Sequence, residues 1–180
     1  MDVSIKTTVR TYAVNQNRAM HILAMEKFPN GPSGSRDAPG NMLDGIKLKQ
    51  TFLDLHFRVD FDQSGQFTAA EAEAGIQNFI DGMDPAVDMA GVSILTHGDY
   101  DHTGQTIEFS DGSARSLCSG QIIFIIIITI MPIIIIFLTI YAVKFLRPFI
   151  NSPKLKDKPK ILVIQACRGK KLCLNLYILK

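Results

Sequence analysis

Three apolar runs, each too short for a helix, dictate the architecture open to this chain: residues 19–25 (AMHILAM), 89–96 (MAGVSILT) and 161–166 (ILVIQA). Runs of this length, apolar almost throughout, read as strands buried on both faces. The segments between them have other periods. Ile46, Leu48, Phe52, Leu53 and Leu55 approximate helical spacing, after which Phe57 and Val59 alternate with His56, Arg58 and Asp60 as a strand would. Thr68 followed by Glu71 is a capping box, and Ala72, Ile76, Phe79 and Ile80 supply the apolar stripe of a helix ending near Gly82. A loop dense in Gly, Pro and Ser occupies residues 29–40, and Thr106 to Ser110 with the turn pair Asp111-Gly112 predicts a small hairpin. Strands alternating with helices predict an α/β domain, a mostly parallel sheet flanked by helices.

Composition removes several function classes. Nearly half of the 180 residues are apolar, enough for one domain with a buried core, and 19 basic against 17 acidic residues leave a net charge of +2. No basic face singles out nucleic acid as a partner. Cys118, Cys167 and Cys173 are too few and too irregular for a disulfide framework, and residues 1–10 are too polar for a signal peptide. Both features favour a reducing compartment, the cytoplasm.

Two strand ends carry the candidate chemistry. Gln165-Ala166-Cys167-Arg168-Gly169 follows the last buried strand, and His97-Gly98 follows the run at 89–96. Open α/β sheets place reactive groups just beyond the carboxyl ends of their strands. Taken alone, a cysteine there is as readily an inert core thiol, and a lone histidine is as readily structural. Together they outline a dyad, with Cys167 as the nucleophile and His97 as the group that takes and returns its proton. The backbone N–H groups of Gly98 and Cys167 are candidate donors for the oxyanion, with glycine allowing close approach.

The strings around these residues resemble the caspases, and the resemblance covers most of the chain outside residues 122–143. Its anchors are Arg18-Ala19-Met20, Ser35-Arg36, Leu48-Lys49-Gln50-Thr51-Phe52, the capped helix at Thr68, and Lys158-Pro159-Lys160 ahead of ILVIQACRG. The resemblance implies a cysteine endopeptidase that cuts peptide bonds after Asp and needs no cofactor and no metal. It implies that Arg36 and Gln165 hold the substrate's Asp side chain, with a further Arg contributed by a small subunit. The segment after Arg36 is slightly longer than the family pattern.

Two departures shape the expectation for this polypeptide. Caspases place the His roughly 50 residues before the Cys, whereas His97 and Cys167 are 167 − 97 = 70 apart. The excess matches residues 122–143, an Ile-rich run broken only by Thr129, Pro132 and Thr139. By length it reads as a membrane span, but a single crossing would separate His97 from Cys167. The competing reading is an insertion translated from an intron. The expected organisation is a large-subunit region at 1–121, the insertion at 122–143, the nucleophile strand at 144–169 and an unrelated tail at 170–180. The small subunit is expected to be a missing partner, leaving the chain inactive alone, with protein substrates as its other partners.

Two metal motifs compete for some residues. Asp60, Asp62, Ser64, Gly65, Gln66 and Glu71 have the spacing of a calcium-binding helix–loop–helix, although the residues before Asp60 alternate like a strand. Thr96-His97-Gly98-Asp99-Tyr100-Asp101-His102 resembles the first zinc motif of metallo-β-lactamase-like hydrolases, but His21 and His56 both lie upstream, where the further ligands of that family do not.

Overall fold

The computed structural model describes residues 17–30, 37–101, 104–116, 121–126, 136–141, 146–168 and 171–179. Along the chain run β1 (Arg18–Ala24), α1 (Pro39–Asp54), β2 (Phe57–Asp62), α2 (Ala69–Asp81) and β3 (Met89–Leu95). Then come β4 (Gly98–Asp101), β5 (Gly104–Glu108), β6 (Ala114–Ser116), β7 (Gln121–Ile126) and β8 (Ile136–Tyr141). A short helix α3 (Arg147–Ile150), β9 (Lys160–Arg168) and β10 (Lys171–Leu179) follow.

The main sheet has the order β10-β9-β3-β1-β2. Strands β9, β3, β1 and β2 are mutually parallel, and β10 closes one edge antiparallel to β9. The α/β architecture read from the sequence, a mostly parallel sheet flanked by helices, is the one observed. The three apolar runs are three adjacent strands in it, β9, β3 and β1, which explains why they do not alternate with polar residues: each is covered on both faces.

Two apolar layers follow the period of two along these strands. Ala19, Leu23, Ala90, Val92, Ile94, Leu162, Ile164 and Ala166 face Ala72, Ile76, Phe79 and Ile80 of α2, with Leu146 and Phe149 around α3. On the other face, Met20, Ile22, Ala24, Leu95, Ile161 and Val163 pack with Phe52 of α1 and Phe57. Gly45 lets α1 approach closely, because a Cβ there would stand 2.9 Å from the Ala24 Cβ and 3.2 Å from the Phe61 ring. Thr68 caps α2 as predicted. Its hydroxyl accepts the Glu71 N–H at 3.1 Å, and the Glu71 carboxylate accepts the Thr68 N–H at 2.8 Å. These bonds hold Glu71 below the usual carboxylate range.

The hairpin predicted at 106–112 is β5–β6, pairing Glu108 with Ala114. Gly112 takes the turn's positive φ of 78°. Strand β10 occupies most of the segment expected as a tail at 170–180. Its sequence, with Leu172, Leu174, Leu176 and Ile178 at alternate positions, carries a period-two signal of its own.

The apolar run at 122–143 is described in two segments. Its described residues form β7 and β8, paired antiparallel from Gln121↔Tyr141 to Ile126↔Ile136 as a separate two-stranded sheet. Among the described residues, no helix is long and apolar enough to cross a membrane. Isoleucine, branched at Cβ, favours extended backbone over helix.

His21 lies buried in the parallel sheet, on β1. Its Nδ1 lies 2.7 Å from Asp60 Oδ2, its ring stacks on Phe79 at 5.3 Å, and its Nε2 is buried without a partner. The neutral ring donates from Nδ1 and leaves Nε2 as a bare lone pair, whereas protonation would bury an unpaired N–H. Burial accordingly lowers its pKa from 6.5, outweighing the opposing pull of Asp60 and Asp62. A lowered histidine pKa means that the unfolded chain binds the proton first, so the contribution is intact above about pH 6.5 and is lost as pH falls below it. We predict that His21→Phe flattens this acid limb of the stability curve, measured by urea unfolding across pH; an unchanged limb would show that other groups cause it.

Candidate active site

The site is built where β3 and β9 end side by side. Their parallel ladder runs from Ala90↔Lys160 to Leu95↔Gln165, and the Thr96 N–H still donates to the Gln165 carbonyl at 3.0 Å. Two residues beyond the last pair on each strand come His97 and Cys167. The register therefore brings the backbone positions of both to one rim of the sheet.

The chain around His97 is clamped on three sides. The Leu95 carbonyl accepts from the Met25 N–H at 2.8 Å, and the His97 carbonyl accepts from the Glu108 N–H at 2.9 Å. The Thr96 hydroxyl donates to the Glu108 carbonyl. The half-buried His97 ring lies 4.5 Å from the ring of Phe28, tilted by 45°. Phe28 is itself 1% exposed, so the imidazole rests against a fixed apolar wall. Gly98 opens β4 directly after it, paired with Ile107.

Cys167 lies in β9 rather than in a turn beyond it. Pairing with Leu172 of β10 extends the strand to Arg168. Gln165, two residues earlier, is half-buried, and its Nε2 donates to Asp44 Oδ2 on α1 at 2.9 Å. Neither Asp44 nor Phe28 stands out in the sequence. The signal for Asp44 is faint: an acidic residue beside Gly45, the position where α1 makes its close approach to the sheet. Arg36 lies outside the described residues, and the chain resumes with the Ala38 N–H donating to the Glu26 carbonyl at 2.6 Å.

The residues of the calcium motif are engaged within the fold. Asp60 sits on a strand and holds His21; Asp62 Oδ1 accepts the Ser64 N–H at 2.7 Å; Glu71 caps α2. Asp99 and Asp101 pair with Thr106 and Gly104 as strand residues of β4, and His102 lies outside the described residues. Among the described residues, no three or more His, Cys, Asp or Glu are grouped to hold a metal ion.

With this geometry in view, comparison with known families is decisive. Residues 17–175 match the family model of the caspase domain. The chain belongs to the caspase family. The match spans both sides of the Ile-rich run and includes β1 to β9, so the parallel sheet that brings His97 and Cys167 to one rim is the caspase sheet. No curated protein matches the chain.

Because α1 carries Asp44 over Gln165, its seat on the sheet matters to this candidate site. We predict that Gly45→Ala pushes α1 outward and destabilises the fold by about 1–3 kcal/mol, the usual cost of overpacking. Thermal unfolding measures this, and an unchanged midpoint would show that α1 is seated more loosely than 2.9 Å implies.

Proposed function

We propose that this chain supplies the large-subunit half of a caspase that hydrolyses peptide bonds after Asp. The observation that carries the reading is the β3–β9 register, which sets His97 and Cys167 at the adjacent carboxyl ends of two parallel strands. In the proposed reaction the Cys167 sulfur attacks the scissile carbonyl carbon while its proton passes to His97. The N–H groups of Gly98 and Cys167 meet the negative charge that develops on the carbonyl oxygen. Collapse expels the amine, which leaves with the proton from His97, and water then hydrolyses the thioester by the same route. Gln165 and Arg36 hold the substrate's Asp carboxylate, with a third group from a small subunit.

Residues 122–143 are, on this reading, an insertion. The support is that β7 and β8 pair with each other and not with the five-stranded sheet. A need for a second subunit is supported by α1, where Leu43, Ile46 and Leu53 remain 61%, 49% and 41% exposed, an apolar surface that the described residues leave uncovered.

A half-built groove holds substrate poorly, and misplacement by about 1 Å costs roughly a hundredfold in rate. The 180-residue chain alone should therefore hydrolyse Asp-ending peptide reporters at background rate. Deleting residues 122–143 and adding a caspase small subunit should restore cleavage, and Cys167→Ala in that complex should abolish it. Cleavage that survives Cys167→Ala would remove Cys167 as the nucleophile. Strong cleavage by the unaltered chain would remove the need for a second subunit.

A further inference from the structure

Gln165 is tied to α1 by a contact that bridges 121 residues of sequence. A carboxylate has no proton to donate, so the Asp44 oxygen fixes which end of the Gln165 amide faces α1: it must be the NH2 end. One N–H is then committed to Asp44 and the second is left for another acceptor. An amide without this partner is free to turn over and present Oε1 instead. Against a substrate carboxylate the difference is one of sign, since N–H attracts it and a carbonyl oxygen repels it.

We infer that Asp44 is a positioning residue, which locks the Gln165 amide with an N–H available to the Asp side chain of the substrate. The inference rests on the proposed cleavage after Asp and names what orients that recognition. Two features suit Asp44 to the task. Gly45 beside it allows α1 to sit within contact of Ala24 and Phe61, which brings the carboxylate down to the sheet. Lys47, 3.7 Å from Asp44 Oδ1 and largely exposed, offsets part of the negative charge that would otherwise face a charged substrate. Asp44 acts through Gln165 and needs no contact with substrate.

Two measurements test this, one of geometry on the full chain and one of selectivity on the chain lacking residues 122–143 in complex with a caspase small subunit. In proton–nitrogen spectra, the side-chain NH2 pair of Gln165 is assigned by its loss in Gln165→Glu. It should be shifted and slowly exchanging in the parent chain, become solvent-like in Asp44→Ala, and recover in Asp44→Asn, whose carbonyl oxygen still accepts. The second readout is the ratio of Cys167 alkylation rates by chloromethyl ketones bearing an Asp or an Asn side chain, followed by peptide mass. Asp44→Ala should lower that ratio about tenfold, the worth of one hydrogen bond to a charged group, and Asp44→Asn should restore it. An unmoved amide pair in Asp44→Ala overturns the contact, and a moved pair with an unchanged ratio overturns the positioning role. Failure of Asp44→Asn to restore the ratio also overturns it, since a loss of folding alone would not distinguish the two ketones. A parent complex without preference for the Asp ketone overturns the proposed specificity itself, and the role of Asp44 in it, whatever the amide pair shows.

Discussion

The parallel pairing of β3 with β9 is the constraint on which the site depends. Their paired residues lie 70 positions apart along the chain, and the ladder brings the segments carrying His97 and Cys167 together. The ladder is held by burial. Val92, Ile94, Leu162 and Ile164 on one face, and Leu95, Ile161 and Val163 on the other, leave the strands no way to slip by one residue without exchanging their two apolar layers. Specificity of register is thus a consequence of core packing, and the chemistry inherits it.

The same pairing explains how the chain can accommodate its Ile-rich run. Everything between the end of β3 and the start of β9 is a connection, and loop-closure entropy grows only slowly with length. An additional β7–β8 ribbon there lengthens the connection without altering the register at either end. The hairpin of β4 to β6 lies closer to the site, because the Glu108 N–H clamps the His97 carbonyl. Substitutions in that hairpin are therefore expected to matter more to the imidazole than changes within residues 122–143.

Much of this is legible in the sequence because the relevant signals are local. Apolar runs bounded by turns mark β1, β3 and β9, and the Thr68–Glu71 capping box marks the start of α2. Cys167 and His97 stand out because each directly follows such a run. What is not legible is long-range. Asp44 is one acid among several until the fold sets it 2.9 Å from Gln165, and Phe28 is one more apolar residue at the edge of a loop until its ring meets His97. At 122–143 hydropathy reports apolar length but not backbone conformation, and β-branched Ile serves a strand as well as a span. Strand β10 is easily overlooked because its segment carries no turn or capping signal, although its alternation is plain.

The most direct test of the account is a cross-link at the rim. Adjacent strands lie about 4.8 Å apart, within the Cα separation of roughly 4.4–6.8 Å that a disulfide requires. In a His97→Cys variant, mild oxidation followed by peptide mapping should therefore yield, in high proportion, a disulfide between the introduced cysteine and Cys167. A Cys167 that stays free, or that pairs instead with Cys118 or Cys173, would contradict the β3–β9 register and with it the placement of the proposed catalytic pair.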